Sequence, residues 1–240
     1  MEKKPAIRSH WKNLLLINYP VDSRLLDPYL PARTEYARWN GECYVSLIGF
    51  QFLNLRFKGF RIPYHTNFGE INLRFYVRRK IGNEWRYGVV FIKEMVSLPM
   101  VTIIANTFFS EPYHTVPLRY SVHTNGDDIL TASYSFKNSG WNTFEINCGT
   151  QAEEMAVGSE MEFMTSQYWG YSKVNPKKTL EYEVLHPRWR VYPTIEYKVN
   201  LDFGKAYGEQ FAFLSDAKPT SAFLAEGSDI TLTPQGALFR

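Results

Sequence analysis

The stretch that decides the fold reads PYHTNFGEINLRFYVRR and covers residues 63–79. From Glu70 onward its side chains alternate between an apolar set, Ile71, Leu73, Phe75 and Val77, and a polar set, Glu70, Asn72, Arg74, Tyr76 and Arg78. Successive side chains of a strand face opposite sides of a sheet, so one face is apolar and the other is polar. The polar row either meets water or lines a cavity inside a closed sheet. The alternation alone favours water, because antiparallel sheets often have one solvated face.

Strand patterns continue on both sides of this stretch. Residues 42–52 and 85–94 are rich in β-branched and aromatic side chains, which favour strands. The segment Asn125-Gly126-Asp127 predicts a hairpin turn. Further strands are predicted at residues 120–124, 129–136, 143–148, 179–186, 194–201 and 230–232.

Helix signals are few. Asp22 is a suitable N-cap for a short helix that runs to Leu30. Ser159 begins a Ser-x-x-Glu capping box for a second helix, which Gly170 ends, and residues 205–214 predict a third. The sequence therefore predicts a mainly β (α+β) protein, a β-barrel or wrapped sheet with two or three short helices.

Composition limits the class of protein. The 240 residues contain no linker or repeat, which predicts one domain over residues 1–240. The net charge is +3 and no basic stripe is visible, so no nucleic-acid partner is predicted. No apolar run reaches the ~18–20 residues of a membrane span, and the run 14–17 is too short for a secretory signal. With only two cysteines, the sequence predicts a cytoplasmic protein without a membrane partner.

Motifs of high chemical specificity are absent from the sequence. It has no glycine-rich phosphate or dinucleotide loop, no His-Glu-x-x-His, no Cys-x-x-Cys and no Gly-x-Ser-x-Gly. The five histidines fit no common zinc spacing. We therefore expect no metal and no cofactor.

Polar residues within apolar strands are the remaining site candidates. Lys93 and Glu94 close an apolar run and point to opposite faces of their strand. If both faces are covered, one charge is desolvated, which costs several kcal/mol unless it is paired. The alternative, that they form the exposed end of the strand, agrees with the usual exposure of Lys and Glu.

Two later segments carry further candidates. Glu111 and Tyr113 follow an apolar run and either stand at a cavity mouth or belong to a turn at Pro112. Arg188 is either an anion clamp or packs on Trp189 through a cation–π contact. The frequency of cation–π pairs in proteins favours packing.

Several motifs together resemble one bacterial family. They are Trp39–Gly41, Tyr44–Phe50, Asn67–Val77, Gly88–Glu94, Glu111–Tyr113, Trp169–Tyr171, His186–Trp189 and Ala225–Ser228. In this order, from about Trp11 to Leu238, they resemble the YqjF-like family, a domain of unknown function (2071). That family is similar in fold to the acetoacetate decarboxylase superfamily. The resemblance implies a closed antiparallel β-barrel with flanking strands and a cavity inside it, and it favours the inward orientation of the polar row.

The resemblance also implies a chemistry that the sequence matches only in part. In the decarboxylases a lysine forms a Schiff base with a keto acid, assisted by a second lysine, glutamates and an arginine. One of those glutamates matches Glu70. Their Pro-Lys-Lys falls on Pro112-Tyr113-His114, so the nucleophile is missing unless Lys93 takes its role. A second Pro-Lys-Lys, residues 176–178, is typical of an exposed turn.

Three functions remain open from the sequence. The first is a barrel that binds an apolar carboxylate or keto compound in a pocket formed by Glu70, Asn72, Arg74, Tyr76, Glu94, Glu111, Tyr113 and Arg188. The second is a lyase, a decarboxylase or aldolase-dehydratase, with Lys93 as the amine and Glu70 as its acid–base partner. The third is a non-catalytic interaction protein whose cavity is filled by its own side chains. The expected partner of the first two is a small molecule.

Overall fold

The structure, a computed structural model, describes residues 3–126 and 128–239. The ends of the predicted domain, residues 1–2 and 240, and Asp127 of the predicted hairpin turn lie outside the described residues. None of the helices in the described part of the chain is long and apolar enough to cross a membrane.

Strands make up most of the described chain. They are β1 (Ile7–Val21), β2 (Glu35–Tyr36), β3 (Cys43–Phe57), β4 (Phe68–Ile81), β5 (Glu84–Val96), β6 (Tyr113–Thr115), β7 (Leu118–Asn125), β8 (Ile129–Lys137), β9 (Trp141–Gly149), β10 (Glu153–Glu154), β11 (Trp169–Asn175), β12 (Lys178–Leu185), β13 (Arg190–Tyr192), β14 (Thr194–Asn200) and β15 (Ser221–Phe239). The α-helices are α1 (Pro99–Phe108), α2 (Glu160–Thr165) and α3 (Phe203–Tyr207), and two 3-10 helices cover Ser23–Leu26 and Glu209–Ser215. The prediction of a mainly β fold with few helices is confirmed.

Eleven of the strands form one large sheet. Its hydrogen-bonded path runs β1-β3-β4-β5-β11-β12-β15-β13-β10, with β2 on β4 and β6 on β5. β15 also pairs with β1, so the path returns to its first strand. Most pairings in this sheet are antiparallel, as the predicted antiparallel sheet requires, but β5 pairs in parallel with both β6 and β11. Both partners reach β5 through long connections, which parallel pairing requires.

The other four strands form a second sheet, in the order β14-β9-β8-β7. This sheet packs on one face of the large sheet, where the apolar row of β4 shares a core with the rings of Tyr134, Phe136 and Phe144. The approach is close at Gly49 of β3, since a Cβ atom there would overlap the Tyr134 ring. The apolar row therefore faces the second sheet.

The opposite face of the large sheet is also covered. Glu70 and Asn72 are only 1% and 2% exposed, so the polar row of β4 does not meet water there. A second apolar core lies on this face and includes Phe50, Tyr76 and Trp189. The expectation from alternation alone, a solvated polar face, is wrong because this second apolar core covers that side of the sheet.

Several elements escape the sequence patterns, among them two strands, β1 and β11, and one helix, α1. β1 contains the run Leu14–Ile17, which is buried on both faces and so shows no period of two. α1 starts at Pro99 without a side-chain cap, so its beginning carries no capping signal. β11 is short and was not predicted. The caps at Asp22 and Ser159 do form, but the helices behind them are shorter than expected.

Candidate functional site

A cavity of about 130 Å³ lies on the side of the large sheet that carries the polar row of β4. On this measure a single water needs roughly 10–15 Å³, so the space suits a small molecule. Most of its wall is apolar or aromatic and includes Trp11, Phe50, Phe52, Phe68, Phe91 and Trp189. Its polar part consists chiefly of Glu70, Asn72, Arg74, Glu94, Glu111 and Tyr113.

A β-bulge brings Glu94 into this cavity. Leu73 pairs with Lys93, but its neighbour Arg74 pairs with Phe91, so Ile92 is an extra residue in β5. The extra residue reverses the alternation, as bulges do. Glu94 consequently faces the cavity, and Lys93 faces the opposite side of the sheet, where it contacts α3.

Glu111 and Tyr113 reach the same place through β6. This short strand runs parallel to β5 and pairs Tyr113 with Glu94. The backbone N–H of Glu94 donates to the carbonyl of Pro112 at 3.1 Å, which fixes the segment against β5. Glu70, Glu94 and Glu111 thus meet at one end of the cavity, and we call them the carboxyl cluster.

Hydrogen bonds hold two members of the carboxyl cluster. Glu70 accepts from the Tyr113 hydroxyl at 2.6 Å and from the Asn72 amide at 2.9 Å. Glu111 accepts from the hydroxyls of Ser172 at 2.7 Å and Tyr182 at 2.6 Å.

The sequence did not point to Ser172 or Tyr182. The signal available for Tyr182 is Gly170 on the neighbouring strand, where a Cβ would overlap the Tyr182 ring. The missing side chain at Gly170 leaves room for the Tyr182 ring, whose hydroxyl donates to Glu111.

Burial keeps the carboxyl cluster protonated to unusually high pH. It raises the pKa of Glu70 and of Glu111 from 4.5 to about 7, against the hydrogen bonds that stabilise each ionised form. Burial, and then the charges of Glu111 and Glu70, raise the pKa of Glu94 well above its usual range. Adjacent carboxylates in a dry site cannot all ionise together, so the cluster shares protons near neutral pH.

Polar atoms without a protein partner gather at the cavity. Among the described residues, seven buried side-chain nitrogen or oxygen atoms lack a hydrogen-bond partner. Five of these belong to residues that line the cavity: Trp11 Nε1, Asn72 Oδ1, Arg74 Nε, Glu94 Oε2 and Gln167 Oε1. Such atoms are rare in folded proteins and call for a specific explanation. Most of the unpartnered buried polar atoms of the described residues therefore belong to the wall of this cavity.

Arg74 is held in place but keeps part of its binding capacity. Its Nη2 donates to the carbonyl of Met164 at 2.9 Å, and its guanidinium lies 5.6 Å from the centre of the Tyr76 ring. No carboxylate in the described chain forms an ion pair with it. Its buried Nε therefore remains available as a donor.

Three predicted site residues lie outside the cavity. Tyr76 shares the face of Arg74 but is buried behind it, with its hydroxyl against Ser46. Arg188 forms ion pairs with Glu162 at 3.0 Å and Glu154 at 3.6 Å, so it is neither an anion clamp in this cavity nor a partner of the Trp189 ring.

The third is Lys93. Its ammonium donates to the carbonyl of Ala206 and lies 5.8 Å from the centre of the Tyr207 ring, on the far side of the sheet. Burial lowers the pKa of Lys93, but no lysine of the described chain lines the cavity. The prediction that Lys93 supplies a nucleophile beside Glu70 therefore does not fit the geometry.

Metal binding finds no support in the geometry of the described residues. Nowhere among residues 3–126 and 128–239 do three or more His, Cys, Asp or Glu side chains form a group suited to a metal ion. Both cysteines are buried and free.

Comparison with protein families gives the chain its classification. The model of DUF2071, described as an uncharacterized conserved protein, matches residues 8–229. The chain belongs to the DUF2071 family. Among curated proteins, this DUF2071 protein is 31% identical over 183 residues to the uncharacterized protein YqjF of Bacillus subtilis, covering 75% of this chain and 72% of YqjF. The resemblance predicted from the sequence motifs is confirmed.

Solved structures show the fold that the DUF2071 protein shares. An acetoacetate decarboxylase from Legionella pneumophila superposes with a TM-score of 0.66 at 12% identity, over 98% of this chain and 88% of that one. The enduracididine biosynthesis enzyme MppR, complexed with pyruvate, gives a TM-score of 0.62 at 10% identity, over 98% and 91% of the two chains. Identities this low establish the acetoacetate decarboxylase-like fold and nothing about the reaction.

Proposed function

We propose that this protein binds a small apolar molecule carrying one carbonyl or carboxyl group, inside a closed β-barrel formed by a single domain over residues 1–240. The observation that carries the proposal is the set of unpartnered polar atoms in the wall of an otherwise apolar cavity. The pairing of β15 with β1 supports the closed barrel. A wall that is mostly apolar, with a few convergent polar groups, is typical of small-molecule sites.

The polar end suits a ligand oxygen. The Arg74 Nε–H is a donor without a protein acceptor. A protonated member of the carboxyl cluster is a second donor, because a pKa of about 7 for Glu70 and Glu111 leaves much of each carboxyl neutral at physiological pH. A neutral carboxylic acid in an apolar site donates well to a carbonyl oxygen. The apolar remainder of the ligand then packs against the aromatic wall.

The carboxyl cluster also equips the site for proton transfer. A group whose pKa lies near the working pH exists in both forms and serves as general acid or general base. We assign the general base to Glu70 or Glu111, whose pKa of about 7 lies near the working pH. Glu94 keeps its proton to higher pH and has an Oε2 without a partner among the described residues, so it suits the role of proton donor to the ligand. The pyruvate bound in MppR shows that a keto acid occupies a protein of this fold, which supports the ligand class proposed here.

No specific observation favours the lyase or the interaction protein. The imine route needs an amine in the cavity, and Lys93 lies behind the sheet. The interaction protein needs a cavity filled by its own side chains, whereas about 130 Å³ stays open.

Thermal shift measurements with a panel of apolar keto acids, carboxylic acids and ketones test the proposal. A ligand at about 100 times its Kd stabilises the folded state by about 2.7 kcal/mol. For a domain of this size that raises Tm by roughly 5–10 °C. Arg74→Ala should abolish the shift. The control is Arg78→Ala on the same strand as Arg74, which removes only a surface ion pair with Glu35 of β2 and should retain the shift.

A second variant separates binding from folding. Ala105 of α1 lines the cavity, so Ala105→Phe fills part of it without removing any polar group. We expect this variant to fold and to lose the ligand response. An Arg74→Ala protein that responds as the wild type does removes Arg74 from the site, and an undiminished response of Ala105→Phe places the ligand elsewhere.

A further inference from the structure

Two segments form one end of the cavity wall. The end of β3 contributes Phe57, the β3–β4 connection contributes Ile62 and His65, and α1 contributes Met100, Val101 and Ile104. We call residues 56–65 together with α1 the lip. Lys58 joins the two parts, because its ammonium lies 5.5 Å from the centre of the Phe57 ring and 5.7 Å from that of Phe108.

The outer surface of the lip is unusually apolar. Its large exposed side chains are Phe60 (76% exposed), Tyr64 (94%), Met100 (47%), Ile103 (57%) and Phe108 (58%). The sequence of α1, PMVTIIANTF, contains no charged residue, and only Ala105 of the helix is buried. The polar residues Thr102 and Asn106 hydrogen-bond to β6, so the exposed surface of α1 is mainly apolar, which is typical of a helix that packs against a partner or a membrane. Contiguous exposed apolar surface of this kind marks an interaction site.

The charge of the lip has one sign. Between residues 51 and 69 the charged residues are Arg56, Lys58 and Arg61, and residues 95–110 contain none. All three cations are exposed, and none forms an ion pair with another residue of the described chain. The connection therefore interleaves exposed rings with unpaired cations, and no acid occurs in either segment.

We propose that the lip docks on an anionic membrane surface. Aromatic and aliphatic side chains enter the interfacial region, and basic side chains beside them bind anionic headgroups. The expectation of no membrane partner rested on the absence of a spanning segment, and lying on a surface requires none. A second copy of the chain is a poorer occupant, because a twofold contact through the lip would place its cations against each other. The proposal does not depend on the ligand or the chemistry of the cavity.

Co-sedimentation of the full chain with vesicles tests the docking. We expect binding to phosphatidylcholine vesicles that contain about one-third phosphatidylglycerol, and much weaker binding to pure phosphatidylcholine. Raising the salt from about 0.1 M to about 0.5 M should weaken the binding through screening. Absence of binding to the anionic vesicles at the lower salt overturns the proposal.

Variants locate the contact. Phe60→Ser combined with Tyr64→Ser should reduce vesicle binding by about tenfold or more, since both rings leave the interface. Lys58→Glu combined with Arg61→Glu should reduce it similarly. Ile195→Ser is the matched control, because Ile195 is 60% exposed on the second sheet and should have no effect.

Two outcomes of the variant series overturn the proposal. One is vesicle binding that stays at the wild-type level in both double variants. The other is found by analytical ultracentrifugation without lipid. If the wild type is a dimer and the lip variants are monomers, the lip binds a second copy of the chain. All side chains changed are exposed, so circular dichroism and Tm should match the wild type and confirm that the variants fold.

Discussion

Replacing Glu70 with glutamine should make the protein more stable at alkaline pH, although Glu70 is buried and hydrogen-bonded. Burial raises the pKa of Glu70 from 4.5 to about 7 in the folded protein. Between these values the unfolded chain has lost the proton while the folded chain keeps it. The folded state then binds more protons, so the free energy of unfolding falls as pH rises through this window.

The magnitude follows from the shift. A pKa difference of about 2.5 units corresponds to about 3 kcal/mol, at about 1.4 kcal/mol per unit. The penalty is absent below about pH 4.5 and complete above about pH 7. Glutamine does not ionise, so Glu70→Gln removes it. Its carbonyl still accepts from Tyr113, and Asn72 can turn its unpartnered Oδ1 towards the new amide.

Urea denaturation followed by tryptophan fluorescence measures the effect at pH 5 and pH 8. We expect Glu70→Gln to raise the free energy of unfolding by up to about 3 kcal/mol at pH 8 and to change it little at pH 5. Glu181→Gln is the contrasting control. Glu181 is also buried but is paired with Arg79 at 2.7 Å and Arg86 at 3.2 Å, so losing its charge should destabilise the protein at pH 8. A Glu70→Gln protein that is less stable than the wild type at pH 8 refutes the reasoning.

The remaining predictions concern the support of the cavity and its pH dependence. Gly170→Ala should lower stability by about 1–3 kcal/mol in urea denaturation, because its Cβ displaces the Tyr182 ring, whereas Gly140→Ala, with open space around it, should change little. Lys93→Met should leave the ligand-induced thermal shift intact and so exclude an imine at Lys93; loss of the shift contradicts this placement. The affinity for a ketone ligand should fall as pH rises above about 7, because the neutral carboxyl donors of Glu70 and Glu111 ionise; calorimetric titrations at pH 6 and pH 8 that give equal affinities contradict that assignment.

The sequence alone predicted which side chains form the polar row of β4. That this row lines a cavity was predicted only with the family resemblance. Alternation separates Glu70 and Arg74 from the apolar set, because a strand of period two sorts its side chains by face. Which face is covered depends on packing between segments far apart in the chain, such as Phe50, Met164 and Trp189 in the core on that face. No local pattern contains that information, so alternation alone favoured water and the family resemblance was needed to favour the cavity.

Other parts of the site depend on irregularities that the sequence does not reveal. The bulge at Ile92 decides that Glu94, and not Lys93, enters the cavity. Tyr182 was missed because its role depends on the bare backbone of Gly170 on the neighbouring strand. Arg188 was included for its guanidinium, but its partner Glu162 belongs to α2, far from it in sequence.

Carbon-13 NMR titration of the glutamate side-chain carboxyls tests most directly whether the carboxyl cluster is enclosed in a dry cavity. Glu70→Gln and Glu111→Gln assign the two resonances. We predict that both titrate with a pKa of about 7, and that Glu94 stays protonated to higher pH still. Titration of all three carboxyls near the usual glutamate value of 4.5 would mean that they are solvated, and would contradict the enclosed site.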